Sequence, residues 1–254
     1  MVQQNCYQYQ EILTKKLGKN LHYLEEIDST NTYAKNMKEW HHGQIIIAST
    51  QTAGRGTYGR KFYSKAGNGI YMTVMIDTNV WHFKQEKLAT LYTAVAVSEA
   101  ALEVMKVCLA VKWVNDLFVN RKKVGGILTE KELGTNKLII GIGINLSGKQ
   151  QDFPEDIKDI ATSLELTSFF DEQAAALVVA IYEKMFESGK LSDESALLNA
   201  YKEKLFIMGE EVDIEYDRDR FTATVVDIDH EGRLIVLRDG EKLSLTVGDV
   251  RVKI

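Results

Sequence analysis

The chain has 254 residues, of which 45% are hydrophobic and 26% charged, and its net charge is −5. This length fits one large domain, or a large domain with a small module. The acidic balance, without a basic stripe, argues against a protein that binds DNA or RNA directly. The two cysteines, Cys6 and Cys108, stand apart from any close cysteine or histidine pair, which argues against a zinc site.

The same features predict where the protein works. The N-terminal residues lack the basic-then-apolar order of a signal peptide, and no apolar run approaches the ~18 residues that cross a bilayer. Unpaired cysteines are typical of a reducing compartment. We therefore expect a cytoplasmic protein without a membrane partner, with Cys108 in the core because its surroundings are apolar and helical.

Apolar periodicity predicts the elements of the first half of the chain. A short strand from residue 21 ends in a turn at 28–30, where Asp, Ser and Thr are typical helix N-caps, and a helix follows. Residues 44–50 form a buried strand, 51–68 a loop rich in glycine, and 69–77 another strand. The longest helix covers about 84–106 and is apolar enough to lie in the core.

The second half separates into two regions. Residues 109–120 and 122–133 resemble a hairpin turning at Asn120–Arg121, residues 136–147 add a strand, and two helices follow near 171–189 and 193–205. After Gly209, apolar and polar residues alternate between short turns, which predicts four or five antiparallel strands in a small SH3-like barrel. We therefore predict an α+β domain over 1–207 and a small β module over 208–254.

The glycine-rich loop is the first candidate for chemistry. Gly54, Gly56 and Gly59 permit close approach of the backbone to a ligand, and Arg55 and Arg60 suit phosphate or carboxylate oxygens. The loop has neither the spacing of a P-loop nor that of a dinucleotide-binding fingerprint. The alternative is a surface hairpin with solvated charges.

Three further motifs carry polar residues into apolar surroundings. "DSTN" at 28–31 is either a plain helix cap or a source of hydroxyls for a neutral ligand. "GIGINL" at 141–146 either places the Asn145 amide in a pocket or is a strand end loosened by glycine.

The third motif, at 112–128, contains charges that need partners if they are buried. Its polar members are Lys112, Asn115, Asp116 and Lys123. Asp116 either pairs with a lysine or helps to hold Mg²⁺ on a triphosphate. Gly125 and Gly126 indicate a bulge or a close approach by a bound molecule.

Taken in order, these motifs resemble the biotin protein ligases. The resemblance rests on "DSTN", "STQTAGRGTYGRKFYS", "GIYM", "VKWVNDLFVNRKKVGGILTE", "GIGINL" and "FPEDIKDIATSL", and it covers roughly residues 22 to 254. Several motifs in a fixed order are far more specific than one glycine pattern. The resemblance implies a mixed sheet backed by helices, as in class II synthetases, followed by the SH3-like module.

The resemblance also implies an activity. Biotin and ATP give biotinyl-5′-AMP and pyrophosphate, and the biotinyl group then passes to one lysine of a biotin carboxyl carrier domain of a carboxylase. ATP and Mg²⁺ are the expected cofactors, and a homodimer is one possible assembly. Because only about 20 residues precede the first motif strand, we expect a short form without an N-terminal DNA-binding domain.

Residue roles follow from the motif positions. The ureido ring of biotin is expected at Ser29, Thr30 and Gln51, with Asn31 in the same motif. The closing loop is expected to use Gly54, Arg55, Gly56, Thr57, Gly59 and Arg60. Lys123 is expected where the carboxylate and phosphate join, Gly126 beside biotin, and Asn115, Asp116 and Asn145 around the nucleotide and metal.

These roles agree with the charges that the reaction brings together. Arg55, Arg60, Lys123 and Mg²⁺ would offset the repulsion between a carboxylate and the α-phosphate, and Asp116 is a possible proton acceptor in the second step.

The chain departs from the usual family pattern at several positions. Thr57 stands in place of arginine, Phe62 in place of tryptophan, Val114 in place of proline, and Ser64 is not followed by proline. Thr57 bears on how tightly the adenylate is retained. Two other functions remain open: a lipoate or octanoate ligase or transferase of the same fold, and a non-catalytic biotin-binding regulator.

Overall fold

A mixed seven-stranded sheet forms the centre of the larger part of the protein. The computed structural model describes residues 2–81, 86–166, 172–186, 193–216, 219–246 and 250–253. The strands of this sheet are β1 (Leu21–Ile27), β2 (Gln44–Gln51), β3 (Gly69–Asp77), β4 (Ala110–Lys112), β5 (Asp116–Val119), β6 (Lys122–Lys131) and β7 (Lys137–Asn145). Their order is β1-β2-β3-β7-β6-β5-β4, and only the β1–β2 pair is parallel.

Helices cover the sheet unequally on its two faces. The larger core contains residues of α1 (Val2–Leu17), α3 (Ala89–Met105), α4 (Glu172–Phe186) and α5 (Glu194–Lys204) together with Ile45, Ile47 and Val74 of the sheet. The alternate strand residues Ile46 and Met75 instead pack with Ala34 of the short helix α2 (Thr30–Asn36). Because side chains of a strand alternate between faces, α2 lies on the opposite face from the other helices.

The sequence patterns missed or misplaced three details. Helix α1 was not predicted, although Tyr9 and Leu13 on it are fully buried. Cys108 is exposed just beyond the end of α3, so its expected place in the core was wrong. Residues 86–105 are long and apolar enough to cross a membrane, contrary to expectation, but 67% of the stretch is buried inside the protein.

The predicted hairpin has an additional break. β5 and β6 meet at Asn120 and Arg121, both with positive φ, as in the two-residue turns that suit twisted hairpins. The first predicted strand is divided into β4 and β5, which are themselves antiparallel neighbours. The residues between them, 113–115, therefore form a tight connection at the edge of the sheet.

The C-terminal residues form a separate five-stranded antiparallel sheet. Its strands are β8 (Glu211–Tyr216), β9 (Asp219–Ile228), β10 (Leu234–Arg238), β11 (Glu241–Leu245) and β12 (Val250–Lys253), in the order β11-β10-β9-β8-β12. The indole N–H of Trp113 donates to the Gly232 carbonyl at 3.0 Å, and Lys202 pairs with Asp227 at 2.7 Å. The prediction of an α+β part followed by a small β module is confirmed. The exact division at 207/208 remains a prediction.

Candidate active site

A single pocket collects most of the residues that the motifs singled out. It lies on the face of the sheet that carries α2, under the glycine-rich loop, and encloses a cavity of about 160 Å³. The predicted residues that line it are Ser29, Thr30, Asn31, Gln51, Arg55, Gly56, Thr57, Arg60, Asn115, Lys123, Gly126 and Asn145. Gly54 and Asp116 lie just behind this surface and contact residues that line it.

One end of the pocket is an uncharged hydrogen-bonding network. The backbone N–H and hydroxyl of Thr30 donate to Gln51 Oε1 at 2.8 and 3.1 Å, and Gln51 Nε2 donates to Ser64 Oγ at 2.9 Å. Ser29 is buried at the start of α2, but its hydroxyl makes no capping hydrogen bond to the helix. Ser29 is also one of the residues that line the pocket.

Asn31 lies in the same motif but is engaged by the protein. Its Nδ2 donates to the Leu128 carbonyl at 3.2 Å and to Glu130 Oε2 at 2.9 Å, and its Oδ1 accepts from the Thr73 hydroxyl at 2.7 Å. With donor and acceptor both satisfied, Asn31 shapes the pocket wall more than it offers a free group to a ligand.

Close packing folds the glycine-rich loop back on itself. The Gly54 carbonyl accepts from the Phe62 N–H at 2.9 Å, and a Cβ at Gly54 would lie 2.5 Å from both the Phe62 carbonyl and Ser64 Oγ. Only glycine fits there. The Phe62 ring then packs on Gly143 of β7, where an added Cβ would meet the ring at 2.6 Å.

The two arginines of the loop are held differently. Arg55 donates through Nη1 and Nη2 to the carboxylate of Glu130, at 3.0 and 2.9 Å. Arg60 donates through Nη2 to Thr57 Oγ1 at 3.0 Å and contacts the Tyr58 ring. Of the two guanidinium groups, that of Arg55 is neutralised by a carboxylate, whereas that of Arg60 is oriented by a neutral hydroxyl.

Lys123 supplies a cation to the opposite wall. Its Nζ lies 2.5 Å from Asp116 Oδ1, and the two side chains are 28% and 15% exposed. Gly126 stands opposite Asp116 in the β5–β6 ladder, and a Cβ there would meet its nearest protein atom only at 3.5 Å. Packing alone does not require glycine at 126, which fits the expectation that a ligand approaches there.

Lys112 stands opposite Asp116 in the β4–β5 ladder and is not among the residues that line the pocket. Burial lowers the pKa of the Lys112 ammonium, the neighbouring Asp116 carboxylate partly offsets this, and Lys123 and Arg60 lower it further. Asn115 and Asn145 donate their amides to the carbonyls of Ile127 and Thr162, at 2.9 and 3.0 Å. These amides are fixed in place at the edge of the pocket.

The sequence reasoning missed several contributors to the pocket. Glu130 and Ser64 were not assigned roles, although both bond to predicted site residues. The period-2 pattern in "GIGIN" places Gly141, Gly143 and Asn145 on one face of β7, and this pattern would have located the floor. Within the described residues, no group of three or more His, Cys, Asp or Glu side chains is arranged to hold a metal ion.

Comparison with known proteins decides the family. Residues 23–147 match the model of the biotin/lipoate A/B protein ligase family, and residues 207–252 match that of the biotin protein ligase C-terminal domain. The chain belongs to the biotin protein ligase family. The ligase from Aquifex aeolicus, solved in complex with biotin and ATP, has 29% identity and a TM-score of 0.77, covering 92% of this chain and 99% of that one.

Other members of the biotin protein ligase family differ in length. The Leishmania major ligase in complex with biotinyl-5-AMP has 27% identity and a TM-score of 0.59, over 90% of this chain and 99% of that one. The bifunctional ligase/repressor BirA of Bacillus spizizenii is 38% identical over 160 residues, which are 61% of this chain and 49% of that protein. This chain spans about half the length of the BirA proteins it matches.

Proposed function

We propose that the protein is a biotin protein ligase that activates biotin with ATP and transfers the biotinyl group to a lysine of a carrier domain. One observation carries the proposal. A single pocket joins an uncharged hydroxyl and amide network at Thr30 and Gln51 to a cationic wall at Arg60 and Lys123. Biotin has this same division, since its ureido ring is neutral and polar and its carboxylate lies at the far end of an apolar chain.

The ureido ring is assigned to the uncharged end. A ureido group offers two N–H donors and one carbonyl acceptor, and Ser29, Thr30 and Gln51 supply hydroxyl and amide groups of both kinds. The valeryl chain is assigned to the glycine floor, where Gly126 and Gly143 line the pocket beside the ring of Phe62. A straight fatty acyl chain has no group that would satisfy the polar end.

The first reaction joins two anions. A carboxylate oxygen of biotin attacks the α-phosphorus of ATP, the bond to the bridging oxygen breaks, and pyrophosphate leaves with that electron pair. Lys123 and Arg60 would offset the repulsion and stabilise the charge of the transition state. No general base is required because the nucleophile is already ionised. The loop 53–64 would exclude water from the mixed anhydride.

The expected magnesium ion suits this site as a companion of the nucleotide. Mg²⁺ usually binds through one or two carboxylates together with substrate phosphates. Asp116 is one carboxylate beside the pocket, and the described residues contain no cluster that would form a complete protein cage. We assign Asp116 and the fixed amides of Asn115 and Asn145 to the nucleotide and its metal. The ion would supply further positive charge to the phosphates.

The second reaction passes the acyl group to an amine. The acceptor lysine of a biotin carboxyl carrier domain attacks the biotinyl carbonyl, AMP leaves, and the lysine loses a proton. Asp116 is the proposed proton acceptor, and its contact with Lys123, a residue of the cationic wall, supports this role. A cytoplasmic location and a homodimer remain predictions.

Exchange of labelled pyrophosphate into ATP tests the proposal. Label should enter ATP when biotin and Mg²⁺ are both present, and should not when lipoate or octanoate replaces biotin. Equal exchange with lipoate would favour a lipoate ligase of the same fold. Biotin binding without exchange would favour a non-catalytic regulator.

A further inference from the structure

We propose that Glu130 is a positioning residue that ties the glycine-rich loop to helix α2 through Arg55. The inference rests on the proposed function, because the loop and α2 together enclose the proposed biotin site. Glu130 lies on β6, and neither the motif resemblance nor the chemistry above gives it a role.

A continuous chain of hydrogen bonds leads from the buried sheet to the loop. The Thr73 hydroxyl of β3 donates to Asn31 Oδ1 at 2.7 Å, and Asn31 Nδ2 donates to Glu130 Oε2 at 2.9 Å. The same carboxylate accepts both terminal nitrogens of Arg55, at 2.9 and 3.0 Å. Asn31 is 3% exposed, so one end of the chain is fixed in the interior.

The geometry explains how Glu130 acts at a distance from the ligand. A bidentate pair between arginine and a carboxylate fixes orientation as well as distance. The Arg55 side chain is 42% exposed and that of Glu130 is 21% exposed, so a solvent-facing loop residue is held by a partly buried one. The carboxylate therefore fixes the N-terminal half of the loop over the residues that α2 contributes.

The pairing also gives the two loop arginines different roles. The positive charge of Arg55 is balanced by Glu130, so Arg55 anchors the loop, while Arg60 faces no carboxylate among the contacts of the described residues. A competing account holds that Glu130 restrains Arg55 only until a phosphate arrives. The two accounts predict opposite effects of removing the Glu130 charge.

Tryptic cleavage of the ligand-free protein tests the anchor without any assumption about biotin. Glu130→Gln keeps one acceptor for Asn31 and removes the charge, so cleavage within 53–64 should accelerate roughly three- to tenfold. Glu86→Gln is the matched control, because Glu86 pairs with Lys131, the next residue on β6, outside the pocket. Unfolding temperatures of both variants check that the fold is intact. Equal cleavage of Glu130→Gln and the control overturns the anchor.

The off-rate of labelled biotinyl-AMP decides between the two accounts. Glu130→Gln should raise the off-rate roughly three- to tenfold if Arg55 anchors the loop. A lower off-rate would mean that freed Arg55 binds the phosphate, and an unchanged one that the pair has no role. Either result overturns the proposal.

A double-mutant cycle separates the anchor from a merely structural effect. In an Arg55→Met background, Glu130→Gln should have little further effect on the off-rate, because the partner is already gone. A full effect in both backgrounds would assign Glu130 to the wall of the pocket alone. If the wild type shows no biotin-dependent exchange, the proposed function fails, whereas the cleavage result still judges the anchor.

Discussion

Removing the ammonium of Lys123 tests how the pocket handles two anions at once. Lys123→Met keeps most of the side-chain length while deleting the charge. The change has two consequences, since it removes a cation from the reacting end and leaves Asp116 without its partner at 2.5 Å. The variant should therefore lose more activity than the loss of one contact explains.

The size of each consequence follows from the position of the pair. Losing one charged contact to a transition state costs about 2–4 kcal/mol, or roughly 10²–10³ in rate. An uncompensated carboxylate near the reacting anions adds on the order of 1 kcal/mol, because Asp116 is only 15% exposed. Relief of this penalty alone would return about fivefold. Because Asp116 is also assigned to the metal, we expect the double variant Lys123→Met, Asp116→Asn to be less active than Lys123→Met, with a deficit that shrinks at high Mg²⁺.

Biotin-dependent pyrophosphate exchange at saturating biotin and ATP measures both variants, with circular dichroism as the check on folding. Near-normal exchange by folded Lys123→Met would refute the role of the ammonium. A double variant that recovers about fivefold over Lys123→Met would contradict the assignment of Asp116 to the metal.

Two further predictions concern residues at and away from the loop. Thr57→Arg should slow the release of biotinyl-AMP about tenfold, the factor that corresponds to ~1.4 kcal/mol, because a second guanidinium would face the phosphate. The Thr57 hydroxyl holds Arg60, so Thr57→Val is the control and should speed release. An unchanged or faster release from Thr57→Arg would mean that retention depends on other groups. Burial lowers the pKa of His42 below its ordinary value. The free energy of unfolding should therefore fall as the pH drops below about 6.5, the pKa of histidine in an unfolded chain. His42→Asn should flatten this dependence in urea titrations at pH 7.5 and 5.5. Equal pH dependence in both proteins would contradict the role of His42.

The direction of this predicted pH dependence follows from the environment of His42. Its Nδ1 accepts the Asp77 N–H at 3.1 Å, which requires the neutral ring. Protonation in the folded state must break this bond in a partly buried position, whereas the unfolded chain is protonated freely near pH 6.5.

Much of the fold could be predicted from local sequence patterns. Turn residues fixed the position of the Asn120–Arg121 hairpin, because two residues with positive φ connect β5 and β6. The alternation after Gly209 predicted the C-terminal sheet. Helix α1 was missed because its apolar residues are interrupted by glutamines, and its position depends on packing against α4 rather than on its own pattern.

Sequence patterns predicted which residues form the pocket better than they predicted the contacts between them. Motif order placed Thr30, Gln51 and Lys123 in one site, and the structure brings them together. The pairing of Arg55 with Glu130 spans 75 residues of sequence. Local patterns carry no information on such a contact, since it depends on how β6 is aligned with the loop. The same reason explains why Asn31 was read as a ligand-binding group although the protein already satisfies its amide.

The hydrogen bond from Trp113 to Gly232 has a practical consequence for anyone who would shorten the protein. Trp113 is 6% exposed and lies two residues before Asn115 and three before Asp116. A truncated form without the C-terminal sheet would leave a buried indole N–H without its acceptor, and would uncover Leu88 and Leu91, against which Gly232 packs. Fusion or splitting of the chain should therefore avoid the contact between Trp113 and Gly232. Exposed turns suit it better, such as the turn at Leu133, a residue that is 93% exposed.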